Sequence, residues 1–324
     1  MKRIKVFLAG AAYGLAMRLT FGGLGYLNGP GVDAASGPML ASFVILVPIL
    51  IGVYTAYTAS PQQRTWVYCL FAPWVPMLLF AAGSALLLLE GSICIAMALP
   101  IFLLMASLGA LACWLLLKVV KPARGTLPAL LVLPLLTSVL ETRVEQPRLL
   151  EQSRASVHIA APPPVLWGLI NDAAQIQPAE MAEGLAYRIG VPYPISAKTV
   201  DTPSGKVRKL VWGKGVHFDE PILDWQENRY IRWRYRFSPE SFPPNALDEH
   251  VVIGGKYFDL LDTSYRLTPE AGGTRLEIVV SYRVSTNFNW YANAWGKLLV
   301  DDSAQTILQF YKQRGERQSG LASR

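Results

Sequence analysis

The sequence predicts two architectures in one chain. An α-helical transmembrane bundle of four or five helices comes first. An α+β domain follows, with a curved antiparallel sheet wrapped on a long C-terminal helix. Three observations carry this expectation. Of 324 residues, 52% are hydrophobic and only 16% are charged, whereas soluble domains carry about 25% charged residues. The charge is unevenly placed: residues 1–140 hold eight Lys/Arg and two acids, and residues 141–324 hold 22 basic and 21 acidic residues, so the net +7 divides into +6 and +1. Hydrophobic patterning also changes from continuous runs to alternation. A wholly soluble, disordered or coiled-coil chain is excluded by this composition.

In the first half, apolar runs occupy 4–26, 39–59, 66–89 and 93–117. Each reaches the roughly 20 residues a spanning helix needs. A fifth run, 126–140, has 15 residues and contains Pro128 and Pro134. At ~1.5 Å per residue it covers about 22 Å of a ~30 Å core. It spans only with snorkelling flanks or local thinning; the alternative is a re-entrant or interfacial segment. Basic residues fall in alternate loops: Lys2, Arg3 and Lys5, then Arg64, then Lys118, Lys121 and Arg124, with none in 27–38 or 90–92. This pattern places the N-terminus in the cytoplasm. Four crossings return the chain to the cytoplasm, and a fifth puts residues 141–324 outside.

Arg18 interrupts the first run, which therefore reads as an uncleaved helix rather than a signal peptide. Arg18 and Glu90 both fall in the outer part of the membrane and are candidates for an ion pair. The alternative is that Arg18 reaches the headgroups and Glu90 caps a hairpin. Cys69, Cys94 and Cys113 form neither a disulfide framework nor a CxxC pair.

In the second half, 141–153 reads as a polar linker and 317–324 as a tail. Ser156–Ala160 reads as a strand that Pro162, Pro163 and Pro164 terminate. A helix follows, carrying Val165, Leu166, Trp167, Leu169 and Ile170 at helical spacing. Pro178–Tyr187 reads as a second helix. Short strands are expected at Val207–Phe218 and Pro221–Gln226. Arg229–Phe237 alternates without a gap: Ile231, Trp233, Tyr235 and Phe237 share one face, and Arg232, Arg234 and Arg236 share the other. Tyr257–Leu267 and Thr274–Val284 make a hairpin across a turn at 269–273. The last helix runs to about Gly315 and is about 40 Å long. A one-face-buried sheet packs such a helix across itself.

His158, His217 and His250 show no metal-ligand spacing, and the sequence has no GxSxG elbow or P-loop. Neither metal nor cofactor is expected. Asp248, Glu249 and His250 are the best acid–base candidates, since a carboxylate beside an imidazole can move a proton; the alternative is a solvated loop. Strand alternation puts Asp259 and Asp262 on opposite faces. One of them therefore points inward, Asp262 being the candidate, as a polar anchor for a ligand or in an inward ion pair with an arginine. The expected cavity lining is Trp212, Trp233, Tyr235, Tyr257, Tyr265, Tyr282 and Trp295, with plain core packing as the alternative for each. The arginine ladder is expected on an outer face, paired with acids of adjacent strands. It faces away from most of the aromatic rings, which argues against nucleic-acid binding.

The stretch VHIAAPPPVLWGLIND, Val157–Asp172, resembles the start of the SRPBCC, or START-like, superfamily. TRLEIVVSYRV and the helix after it resemble that superfamily's ending. His250–Leu267 (HVxxGGxYFDxLxxxYxL) and Ser285–Ala292 (STxFNWYA) are similar to membrane-linked bacterial members. The resemblance covers about residues 154–316. It implies a helix-grip fold around an apolar cavity, placed at a bacterial cytoplasmic (inner) membrane. Relatives bind lipids, sterols or polyketides, and a few catalyse ring closure or dehydration, with no shared catalytic set. The implied function is binding of a hydrophobic small molecule or lipid for transfer or sensing, without covalent chemistry. Two alternatives are a cyclase- or dehydratase-like enzyme and a structural or regulatory partner of a membrane-protein complex.

Overall fold

The computed structural model describes residues 2–27, 37–120, 123 and 125–320. The expected loop at 28–36 and the basic residues Lys121 and Arg124 lie outside the described residues. The chain divides into two compact units. One is Met1–Gln146 with Thr286–Phe288; the other is Pro147–Ser285 with Asn289–Arg324.

The first unit is helical: α1 Lys2–Leu27, α2 Val47–Thr58, α3 Trp66–Phe71, α4 Trp74–Leu86, α5 Ser92–Val119 and α6 Thr126–Glu141. A π-helical turn, Ser42–Leu46, leads into α2. Three stretches are long and apolar enough to cross a membrane: Arg3–Gly23, Trp66–Leu86 and Ser92–Val119. The expected run at 39–59 forms the shorter helix Ser42–Thr58, and 126–140 forms Thr126–Glu141. The run at 66–89 is broken between α3 and α4, where Pro73 has no N–H for the helix ladder. Small residues set the closest crossing. A Cβ on Gly52 would stand 1.9 Å from the Ala106 carbonyl oxygen, and one on Gly109 would stand 2.1 Å from that of Ile49. Helices α2 and α5 therefore meet backbone to backbone. Phe21, Phe43, Phe80 and Phe102 pack together inside the unit.

Charge in this unit is tied down. Arg18 and Glu90 form an ion pair, and Arg18 Nη2 donates to the Leu89 carbonyl at 2.8 Å. Glu141, at the end of α6, accepts from the backbone N–H groups of Ala41 (2.6 Å) and Ser42 (2.8 Å). It thereby caps a helix start whose own sequence supplies no acid.

The second unit is one eight-stranded sheet with helices. Its strands are β1 Arg148–Ile159, β2 Asp172–Ala173, β3 Pro194–Thr202, β4 Gly205–Trp212, β5 His217–Gln226, β6 Tyr230–Arg234, β7 Phe258–Glu270 and β8 Gly273–Ser285. The spatial order is β1-β8-β7-β6-β5-β4-β3-β2, with every pairing antiparallel. Helix α7 (Pro163–Asn171) and two short turns of helix, α8 (Pro178–Met181) and α9 (Leu185–Ile189), lie between the first strand and β3. The long helix α10, Asn289–Gln318, packs on β1, β8 and α7. The core lies between the sheet's inner face, α7 and α10.

Several expectations are corrected here. Residues 148–153 belong to β1 rather than to a linker. Their inward positions include Glu151 and Ser153, so no hydrophobic alternation announces the strand. The single helix expected at Pro178–Tyr187 is two short ones, α8 and α9, separated by a turn. The expected strand Val207–Phe218 is divided by a turn at Gly213–Gly215. Strand β3 was not anticipated, because its inward Ala197 and Thr199 are small and polar rather than strongly apolar.

Candidate functional site

Alternation of the strands sends one side chain in two under α10. On β4, Arg208 is in phase with Leu210. On β5, Glu220 is in phase with Phe218 and Ile222. The register pairs Arg208 with Glu220, so both charges enter the interior side by side. Exposure is 6% for Arg208 and 2% for Glu220. Arg208 Nη1 donates to Glu220 Oε2 at 2.5 Å, Nε donates to the Ile170 carbonyl at 2.9 Å, and Nη2 donates to Tyr311 Oη at 3.4 Å. The guanidinium lies over the Trp233 ring, 4.8 Å from its centroid. Trp233 and Tyr265 rings lie 5.4 Å apart, and Tyr265 meets Tyr311 edge to face at 5.8 Å. Tyr235 Oη and Thr263 Oγ1 share a 2.6 Å hydrogen bond. Strands β4 to β7 and helices α7 and α10 thus converge on one polar cluster within an aromatic core.

Burial dominates the electrostatics. Desolvation pushes the Glu220 carboxyl up to about 7, against the opposing pull of Arg208. Desolvation also works against the Arg208 cation, and the facing Glu220 carboxylate more than restores it. The phenols of Tyr265, Tyr311 and Tyr235 are all raised, chiefly by burial. Arg208 therefore stays a cation and the tyrosines stay neutral donors, while burial and the Arg208 cation pull the Glu220 carboxyl in opposite directions.

The expected site residues separate into three groups. Trp233, Tyr265, Tyr235 and Tyr282 lie on the inner face, and Trp233 and Tyr265 belong to the cluster itself. Tyr282 Oη donates to Asn293 Oδ1 of α10 at 3.3 Å. Trp212 packs edge to face on Phe218 at 5.2 Å, and its buried Nε1 has no hydrogen-bond partner among the described residues. Tyr257 is buried just before β7. Trp295 is half-buried on α10, apart from the core cluster.

Asp262 requires a correction. The register shifts between Leu260 and Asp262, and this bulge adds one residue to β7. Asp262 then pairs with Ser281 and Asp259 with Arg283, so both carboxylates lie on the outer face. Asp262 stands 3.5 Å from Arg232 on that outer face, neither an inward anchor nor an inward ion pair. The arginine ladder is on the outer face as expected, with Arg232 near Asp224 and Arg236 bonded to Asp219. Asp248 is half-buried beside a short helical turn, Glu249–Val251, that contains the buried His250.

Sequence reasoning did not single out Arg208 and Glu220. Their signal was partly available: Glu220 occupies the inward phase of β5 between Phe218 and Ile222, and Arg208 that of β4 beside Leu210. Charged residues in that phase are rarely buried without a partner.

No family model matches the chain, and no curated protein matches it. Solved structures do. TTHA0849 from Thermus thermophilus is 20% identical, covering 52% of this chain and 99% of its own, at a TM-score of 0.33. The Zhui aromatase/cyclase from Streptomyces sp. R1128 is 14% identical, covering 54% and 99%, at 0.33. Ara h 8.0201 is 14% identical, covering 51% and 96%, at 0.32. These are similarities of fold. The strand order and the long terminal helix across the inner face give the second unit the helix-grip architecture.

Proposed function

We propose that this chain is a membrane-anchored helix-grip protein that binds a hydrophobic ligand, a lipid in particular, for transfer or sensing. The observation that carries the reading is the Arg208–Glu220 pair, buried among Trp233, Tyr235, Tyr265 and Tyr311. A buried ion pair contributes little to stability, because apolar residues of similar volume do as well or better. A polar anchor in an aromatic interior instead suits an apolar molecule with one polar group. The membrane part of the reading is supported by the helical unit's outward side chains, including Leu8, Leu19, Leu104, Leu116 and Leu136, each at least half exposed. Soluble surfaces seldom carry so much apolar area. With the N-terminus in the cytoplasm and five crossings, the helix-grip unit faces the extracytoplasmic side. Tethering then raises the effective concentration of bilayer lipid at the domain.

The test is native mass spectrometry of the full chain in a non-ionic detergent. An apolar molecule should copurify, and Arg208→Met/Glu220→Leu should release it. A consistently empty protein that takes up no lipid class would overturn the proposal. A reporter fused to the C-terminus tests the fifth crossing separately.

One observation favours a second reading, a cyclase- or dehydratase-like enzyme. Glu220 is a carboxyl buried against Arg208, and burial raises it above its ordinary range, as a general acid requires. In that reading Glu220, rather than Asp248 to His250, moves the proton. Glu220→Gln should then retain the copurifying molecule while losing any product formed from it.

A further inference from the structure

The outer face of the same sheet carries a groove of about 420 Å³ that neither ligand reading uses. Its construction follows from the register. One row across four strands runs Arg154 (β1), Val279 (β8), Ser264 (β7) and Arg232 (β6). The next row towards the sheet's other end places Glu277, Arg266 and Tyr230 side by side. The row on the opposite side places Ser281 beside Asp262. Short side chains at Ser264, Val279 and Ser281 make a floor, and long ones around them make walls. Neighbouring strands are about 4.8 Å apart, so Arg154 and Arg232 rise about 14 Å from one another across three strand spacings.

The charges of this groove are unevenly matched. Arg232 has Asp262 at 3.5 Å and Asp224 at 3.8 Å, and its Nε is buried without a hydrogen bond. Arg154 bonds only the Gln152 side chain, at 3.0 Å, among the described residues. Arg266 stacks on Tyr230, 4.9 Å from the ring centroid. Neither Arg154 nor Arg266 has an ion-pair partner among the described residues. Stacking fixes the plane of the Arg266 fork and leaves its N–H edge free. Planar forks of this kind match the oxygens of phosphate esters.

We infer that this groove is a second binding site, for a phosphate ester whose organic part carries an amine or hydroxyl group. Arg154 and Arg266 take the phosphate oxygens, and the Ser264 and Ser281 hydroxyls face it from the floor. Asp262 and Glu277 line the same groove. They accept from the amine or hydroxyl, and they make the site unsuited to a bare polyanion such as nucleic acid. The volume lies in the range of small-molecule sites. A lipid headgroup and a soluble ester present the same chemistry.

The experiment titrates phosphoethanolamine into the full chain in a phosphate-free non-ionic detergent, read by calorimetry. Saturable binding is expected, weakened at least about tenfold in Arg154→Gln/Arg266→Gln. Both arginines are exposed, so the fold is not at stake. Arg234→Gln, also exposed but outside the groove, should bind as the native chain does. Glu277→Gln should tighten inorganic phosphate, a gain that misfolding cannot produce. Nanodiscs of phosphatidylethanolamine that compete with phosphoethanolamine identify a lipid source, and the absence of competition identifies a soluble ester; both support the site. Absence of phosphoethanolamine binding, or equal binding by the double variant, overturns it.

Discussion

The two faces of strands β4 to β8 use the same backbone for opposite electrostatics. The inner face carries one charged pair, Arg208 and Glu220, among rings. The outer face carries a field of arginines and carboxylates, several paired only at 3.5–3.9 Å. Water explains the difference. Outside, solvent screens each charge and a loose pair costs little to break. Inside, either charge alone carries a desolvation penalty of several kcal/mol, so the pair is close and fully bonded. Burial rather than distance separates the faces: Arg236–Asp219 on the outer face is as short, at 2.7 Å, but water shares its charges.

The comparison breaks most sharply at the inner pair. Glu220→Leu alone strands Arg208 and should cost about 3–5 kcal/mol. Arg208→Met/Glu220→Leu should recover most of that loss. Hydrogen exchange of the β4 and β5 amides in the full chain reads both, and an equal loss in the single and double variants would show that packing, not charge, holds the cluster. Trp233→Ala should cost a similar about 3–5 kcal/mol by opening the core. Tyr230→Ala, three residues earlier and on the outer face, should cost far less by the same measure.

A pH series sharpens the contrast. Glu220 has its folded carboxyl raised to about 7 from the ordinary 4.5. Between those values the folded chain holds a proton that the unfolded chain has released. Stability should therefore fall as pH rises through this window, and Glu220→Gln should flatten the slope. Glu180 has the opposite sign. Hydrogen bonds from Arg314 hold its carboxyl below 4.5. Its contribution is present above that value and is lost in acid. A thermal-melt series from about pH 2 to 8, in roughly half-unit steps, separates the two. The smallest effect belongs to the outer face: Arg232→Gln should move stability by no more than about 1 kcal/mol, measured by the same melts.

Much of this fold was legible in the residues. Arg229–Phe237 announced its two faces, Thr274–Val284 its hairpin, and the apolar runs their helices. Arg18 and Glu90 were recognisable as possible partners, because charges inside apolar runs have few places to go. Other features were hidden for specific reasons. The bulge at Leu261 shifts Asp262 to the outer face, and nothing in the alternating pattern of β7 marks an extra residue. β1 starts at Arg148 because its pairing with β8 continues there, although the inward Glu151 and Ser153 near its start are polar. The groove on the outer face depends on which residues of four strands stand in one row.

The sequence by itself determined the division into an apolar helical half and a charged sheet half, and the inward phase of each well-patterned strand. Hydrophobic period and charge density are local properties, so a reader of the chain can recover them. Only the tertiary structure decided which inward residues meet and which outward residues share a row. Register between strands sets Arg208 against Glu220, and the fold brings Tyr311 to Arg208 from 103 residues away. Such meetings depend on pairing and bulges across the whole sheet, and no local period encodes them.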